Sequence, residues 1–169
     1  MTFARNRVAA FGAGILFAVL QFGFFFFVQA EVSATVVSYF SVTAAWLVGL
    51  IAGLWIANDR LLKLAPFAAL AAFYAVWLLT HLLTFSAAAI PVIALFVAAG
   101  GAYAGVFFQQ MATRAPDVRL VLLDENNGFV IGIVVALAGF ATFGFFFFAV
   151  APPVIAAGLV ALRPRAVAP

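Results

Sequence analysis

The sequence predicts an all-α membrane protein, a compact bundle of six transmembrane helices with both termini cytoplasmic. Three observations carry that expectation. The first is composition: of 169 residues, 69% are hydrophobic and only 8% charged, against about a quarter charged in ordinary soluble proteins. With a mean hydropathy of +1.28, a chain of this length could not hide its apolar surface from water. The second is the grouping of the basic residues as Arg5/Arg7, Arg60/Lys63, Arg114/Arg119 and Arg163/Arg165. The third is the spacing of those groups by apolar intervals of roughly 45 to 55 residues, each enough for a helical hairpin at ~20 residues per span. Lys and Arg are retained on the cytoplasmic side, so all four groups share that side only if each interval crosses twice.

Each element follows from this frame. Helix 1 is expected from about residue 8 to 28. Its apolar run of about 20 residues exceeds a signal-peptide core, although Val28-Gln29-Ala30 offers a small-residue cleavage site. Helix 2 is expected over about 35–57, helix 3 over 64–85 and helix 4 over 91–110, with Pro91 suited to a first turn because its missing N–H has no partner there. The longest loop follows, around 114–119, where Pro116 breaks the helix. Helix 5 is expected over about 124–150, and Pro152-Pro153 are expected to turn the chain into helix 6, about 152–162. At 1.5 Å per residue that last helix falls short of the ~30 Å hydrocarbon core. Either the prolines lie inside a continuing helix, or the bilayer thins locally. A five-helix alternative would put Arg163 and Arg165 outside, against the charge rule. No linker or charged run divides 1–169, so one integral membrane domain is expected.

The formal net charge of +3 would suggest nucleic acid in a soluble chain. Here it is the positive-inside signal together with attraction to anionic headgroups, so membrane lipids and no nucleic acid are the expected partners. The absence of cysteine excludes disulfides, thiolate metal sites and cysteine catalysis. There is no G-x-S-x-G, no phosphate-binding glycine loop, no membrane-embedded histidine set and no acid pair at mid-membrane, so no catalytic residues are assigned and no enzyme is expected.

Small residues recur every four positions, as Ala45, Gly49, Gly53 and Ala57 on helix 2, Gly101 and Gly105 on helix 4, and Gly128, Gly132 and Ala136 on helix 5. That spacing puts them on one face and lets helix backbones approach closely. Helix 1 carries a similar ladder, Ala10, Gly14 and Ala18. The word Phe22-Gly23-Phe24-Phe25-Phe26-Phe27 recurs as Phe143-Gly144-Phe145-Phe146-Phe147-Phe148, and both copies are expected to end outward-going helices. Four consecutive aromatics cover a whole turn, so some rings must meet lipid or a partner. Such a face suits another membrane subunit, a second copy of the chain, or a bound lipid, quinone or pigment; Phe holds such a ligand without reacting with it.

The polar candidates are few. His81 is the only histidine, one turn after Trp77, too few ligands for zinc or a bis-histidine haem, so no metal is expected. Asp124, Glu125, Asn126 and Asn127 form the densest cluster, read as the dipole-favoured and capped start of helix 5 or as a cation or proton site near Gln109, Gln110 and Arg119. Glu31 is the only charge expected outside, and Gln21 and Gln29 add uncharged hydrogen-bonding groups, with Gln21 the best candidate for an interhelical bond or a solute contact.

The stretch Ala45-Trp-Leu-Val-Gly49-Leu-Ile-Ala-Gly53-Leu-Trp-Ile-Ala-Asn-Asp59-Arg60 resembles the second helix and inner turn of major-facilitator-type transporters. It also resembles the membrane domain of spermidine-synthase-like proteins. Asn126-Asn127-Gly128, Gly132 and Gly139-Phe140 are similar to the fifth and sixth helices of that domain. The aminopropyltransferase domain is absent, so no polyamine chemistry follows. A complete transporter of that fold has twelve helices, so the resemblance implies a half that dimerises or serves another role. Size and topology also match the substrate-binding subunits of energy-coupling vitamin transporters, although polar groups for a vitamin are sparse. The residues taken together point first to a non-enzymatic subunit or scaffold of a bacterial inner-membrane assembly. The second reading is a half-transporter or substrate-binding component for a small or lipid-like solute.

Overall fold

The structure, a computed structural model, describes residues 2–56, 59–114 and 117–162. Among them every regular element is helical: α1 (Thr2–Glu31), α2 (Val36–Leu54), α3 (Asp59–Leu82), a 3-10 turn at Ala87–Ala89, α4 (Ile90–Arg114), α5 (Val118–Phe143) and α6 (Phe145–Ala161). Five of these helices are long and apolar enough to cross a membrane, and α6 is shorter, at 17 residues. Ala57, Asn58, Pro116, Arg163 and Arg165 lie outside the described residues.

Local sequence explains most boundaries. Thr35 caps α2 by accepting from the Ser38 backbone N–H at 3.3 Å, which satisfies one of the orphan donors of a first turn. Asp117 does the same for α5, its carboxylate accepting from the Arg119 N–H at 2.9 Å. Pro91 sits in the first turn of α4, where the sequence places it. The α3–α4 connection turns at Phe85, a non-glycine residue with φ +60°, whose N–H donates to the Glu31 carbonyl at 2.7 Å. That bond fixes the turn beside the end of α1.

Two sequence expectations are corrected. The turn between the last two helices is at Gly144, not at Pro152-Pro153, so the ranges 124–150 and 152–162 give way to α5 and α6 as described. Gly144 has φ +60° and ψ −144°, a conformation open to glycine alone, whereas both prolines lie inside α6. The second Phe word therefore straddles a break: Phe143 closes α5 and Phe145 to Phe148 open α6. The second correction concerns Asp124 to Asn127, which lie in the second and third turns of α5 and not at its start. Asp117 is the cap.

The chain forms two compact units, one from the described residues among Met1–Val19 and Arg114–Pro169, the other Leu20–Thr113. Helix α1 begins in the first and ends in the second. In the first unit, α1 and α5 run parallel along a glycine seam. A Cβ on Gly128 would overlap the Phe11 carbonyl, one on Gly14 the Glu125 carbonyl, and one on Gly132 would lie 2.8 Å from Ile15 Cα. The pairs 7/124, 11/128 and 15/132 advance together by four, which sets the parallel register. Phe140 and Phe148 pack 6.0 Å apart where α6 folds back on α5.

In the second unit the same device joins α2 to α4. A Cβ on Gly49, Gly53, Gly101 or Gly105 would overlap the carbonyls of Ala98, Ala102, Trp46 and Leu50 respectively. The steps 46/101 and 50/105 again define a parallel pair. Beside this seam Phe24 packs 5.2 Å from Phe73 and 6.4 Å from Trp46, and Phe27 lies 5.1 Å from Phe73. Such backbone-to-backbone approach multiplies dispersion contacts, the attraction that holds helices together where the surroundings are as apolar as they are.

Candidate functional site

The ten phenylalanines singled out by the sequence divide by position. Phe24, Phe27 and Phe148 are fully buried core residues. Phe22, Phe25, Phe26, Phe145 and Phe147 are half-buried, held in edge-to-face and tilted pairs such as Phe25 with Tyr39 at 5.4 Å and Phe147 with Phe148 at 5.2 Å. Phe143 and Phe146 alone of the ten are open, at 63% and 69%. The broad aromatic face thus narrows to two rings flanking the Gly144 turn. A glycine whose added Cβ would meet nothing within 4 Å leaves that corner bare.

In the Leu20–Thr113 unit Glu31, the end residue of α1, meets His81 near the end of α3. His81 Nδ1 stands 3.9 Å from a Glu31 carboxylate oxygen, and the His81 ring meets Trp77 edge-on at 5.7 Å. Thr80 is buried and donates to the Trp77 carbonyl at 3.0 Å, while the Trp77 indole N–H is buried without a hydrogen-bond partner. Gln21 and Gln29 are half-buried along α1. Toward the end of α4, Gln110 is buried and the Gln109 amide oxygen is buried without a partner. A crevice lined by Val28, Ser38, Ser41, Val42, Ile90, Ile93 and Ala94 has no room for a water molecule. Ser38 within it shares a hydrogen bond with the Thr35 hydroxyl at 3.1 Å.

In the other unit Arg7 donates to both Asp124 carboxylate oxygens, Nε at 2.6 Å and Nη2 at 3.0 Å. This is the paired, planar geometry that guanidinium and carboxylate favour. Arg5 Nε donates to the Leu162 carbonyl at 2.5 Å, holding the end of α6 against the start of α1. Asn126 and Asn127 are exposed, but Glu125 is buried. The two acids are neighbours in sequence and lie about 100° apart around the helix, so one meets Arg7 and the other faces the α1/α5 seam. The buried positions of α5, Val121, Glu125, Gly128, Gly132, Ala136 and Gly139, follow three-and-four spacing. Glu125 could have been assigned to that face from the glycine ladder alone. Asp124–Asn127 therefore belong to one unit, and Gln21, Glu31 and His81 to the other.

Among the described residues no three His, Cys, Asp or Glu side chains gather as a metal site would require. Comparison of the chain with known protein families, curated proteins and solved structures finds no match.

Proposed function

We propose that this chain is a non-enzymatic, multi-pass subunit or scaffold of a larger assembly in a bacterial inner membrane, with both termini cytoplasmic. It docks a partner's membrane helix through the bare aromatic corner at Phe143 and Phe146. One observation carries the reading: the interior of the Leu20–Thr113 unit is filled by Phe24, Phe27, Phe73 and Trp46, side chains that pack and do no chemistry. A lipid, quinone or pigment on the same corner would be held by contact alone. The test is solubilisation in mild detergent, followed by identification of whatever travels with the protein. A stoichiometric membrane partner that is lost from the Phe143→Ala/Phe146→Ala variant supports the proposal. A colourless, partner-free monomer that binds a solute defeats it.

A second reading, a half-transporter of the major-facilitator type or a substrate-binding component, is favoured by the unpartnered Gln109 amide oxygen beside buried Gln110. Buried polar groups in membrane helices are costly, and mark solute or ion paths. Under it, Gln21→Leu or Gln109→Leu alters solute binding while the fold persists. Under the scaffold reading neither replacement changes anything but stability.

A further inference from the structure

Glu125 is the acidic residue that the packing leaves over. It is 5% exposed and its carboxyl forms no hydrogen bond or ion pair among the described residues. Gly14 lets α1 close directly onto the Glu125 carbonyl, which fixes this residue in the seam. The charged groups described on the helices of this unit are accounted for. On α1, Arg7 is engaged by both oxygens of Asp124, and Arg5 by the Leu162 and Ala161 carbonyls. On α5, Asp117 accepts from the Arg119 N–H and Arg119 lies nearly two turns away. From Phe145 to Ala161, α6 carries no titratable side chain. An unpaired carboxylate in such a place is expensive, and adding a proton removes the charge with no further ligand. A metal ion would need several more donors.

We propose that Glu125 is a proton-binding site set in the α1/α5 seam, exchanging with the aqueous phase at the end where Arg7 remains 44% exposed. Proton loss leaves a bare carboxylate in the seam, so the tight α1/α5 contact is coupled to protonation. This site is independent of the partner proposed for Phe143 and Phe146.

Dicyclohexylcarbodiimide provides the test, because it adds to protonated carboxyl groups in apolar surroundings. The full chain in detergent micelles is treated across a pH series and the modified residue located by peptide mass. Labelling concentrated on Glu125, falling about tenfold per pH unit above its midpoint, supports the site. Labelling no greater at Glu125 than at Asp124 or Glu31, or labelling suppressed by sodium ions at constant pH, overturns it. A second measurement uses thermal unfolding. The native chain should lose melting temperature as pH rises, because deprotonation would set an unpaired charge in the apolar seam. Glu125→Gln, a neutral isostere, should lack that component of the fall. Identical pH profiles for the two proteins overturn the proposal. If the variant fails to fold, the labelling profile of the native chain decides.

Discussion

Individual glycines in this chain carry opposite energetic signs, and the atoms facing them say which. Gly49 and Gly128 lie in seams where a Cβ would strike the Ala98 and Phe11 carbonyls. Backbone cannot rotate aside as a side chain can, so the helices must part. Gly49→Ala and Gly128→Ala should each cost about 1–3 kcal/mol, the usual scale for overpacking. Gly158 is also helical, but a Cβ there meets nothing within 4 Å. Gly158→Ala should be neutral or stabilising by about 0.5–1 kcal/mol, from the backbone entropy that glycine loses in a helix. Reversible unfolding in mixed detergent micelles measures all three, and equal effects at Gly49 and Gly158 would refute the assignment. The seams were legible in the sequence because a four-residue spacing is a property of one helix. Which helix each seam meets was not, because the α2/α4 and α1/α5 pairings are made in the tertiary structure. The phenylalanines show the same division. Four in a row guarantee that some turn inward, yet only neighbours such as Phe73 and Trp46 decide that Phe24 does.

At the scale of elements, the last hairpin turns at its glycine and not at its prolines. Pro152 and Pro153 lack an N–H to donate four residues back, a reason to expect a break. A helix tolerates them where packing re-satisfies its backbone, as membrane helices do. Gly144 has no such latitude, since its φ and ψ are closed to other residues. Gly144→Ala should therefore cost about 1–3 kcal/mol from the backbone alone, with no steric contact involved. Pro152→Ala should leave the α5–α6 turn where it is. The parallel α1/α5 pairing is testable through chemistry that the chain lacks. With no native cysteine, Arg7→Cys/Asp124→Cys should be joined rapidly by a short thiol cross-linker. Arg7→Cys/Ile131→Cys should not, because residue 131 is exposed and about two turns further along α5. Cross-linking at equal rates would mean that the register is wrong.

For the whole molecule, the proposed topology of six crossings turns on the last helix. Helix α6 has 17 residues, about 26 Å at 1.5 Å each, slightly short of a ~30 Å core. The sequence brought the C-terminus inside on the strength of Arg163 and Arg165 alone, and both lie outside the described residues. Arg5 supplies a separate argument. Its guanidinium donates to the Leu162 and Ala161 carbonyls, so within one unit the start of α1 and the end of α6 share a side. A re-entrant last segment that left the C-terminus opposite the N-terminus would break those bonds. The prediction is that a fluorescent protein fused after Pro169 matures in the cytoplasm, and that an epitope at the Gly144 turn is reached from outside in intact cells. Arg163→Glu/Arg165→Glu should leave the first result unchanged, because the positions of Arg5 and Leu162 hold that end. If instead those two replacements send the C-terminus outside, charge alone sets the last crossing, and the contact between α1 and α6 is a consequence of topology and not its cause.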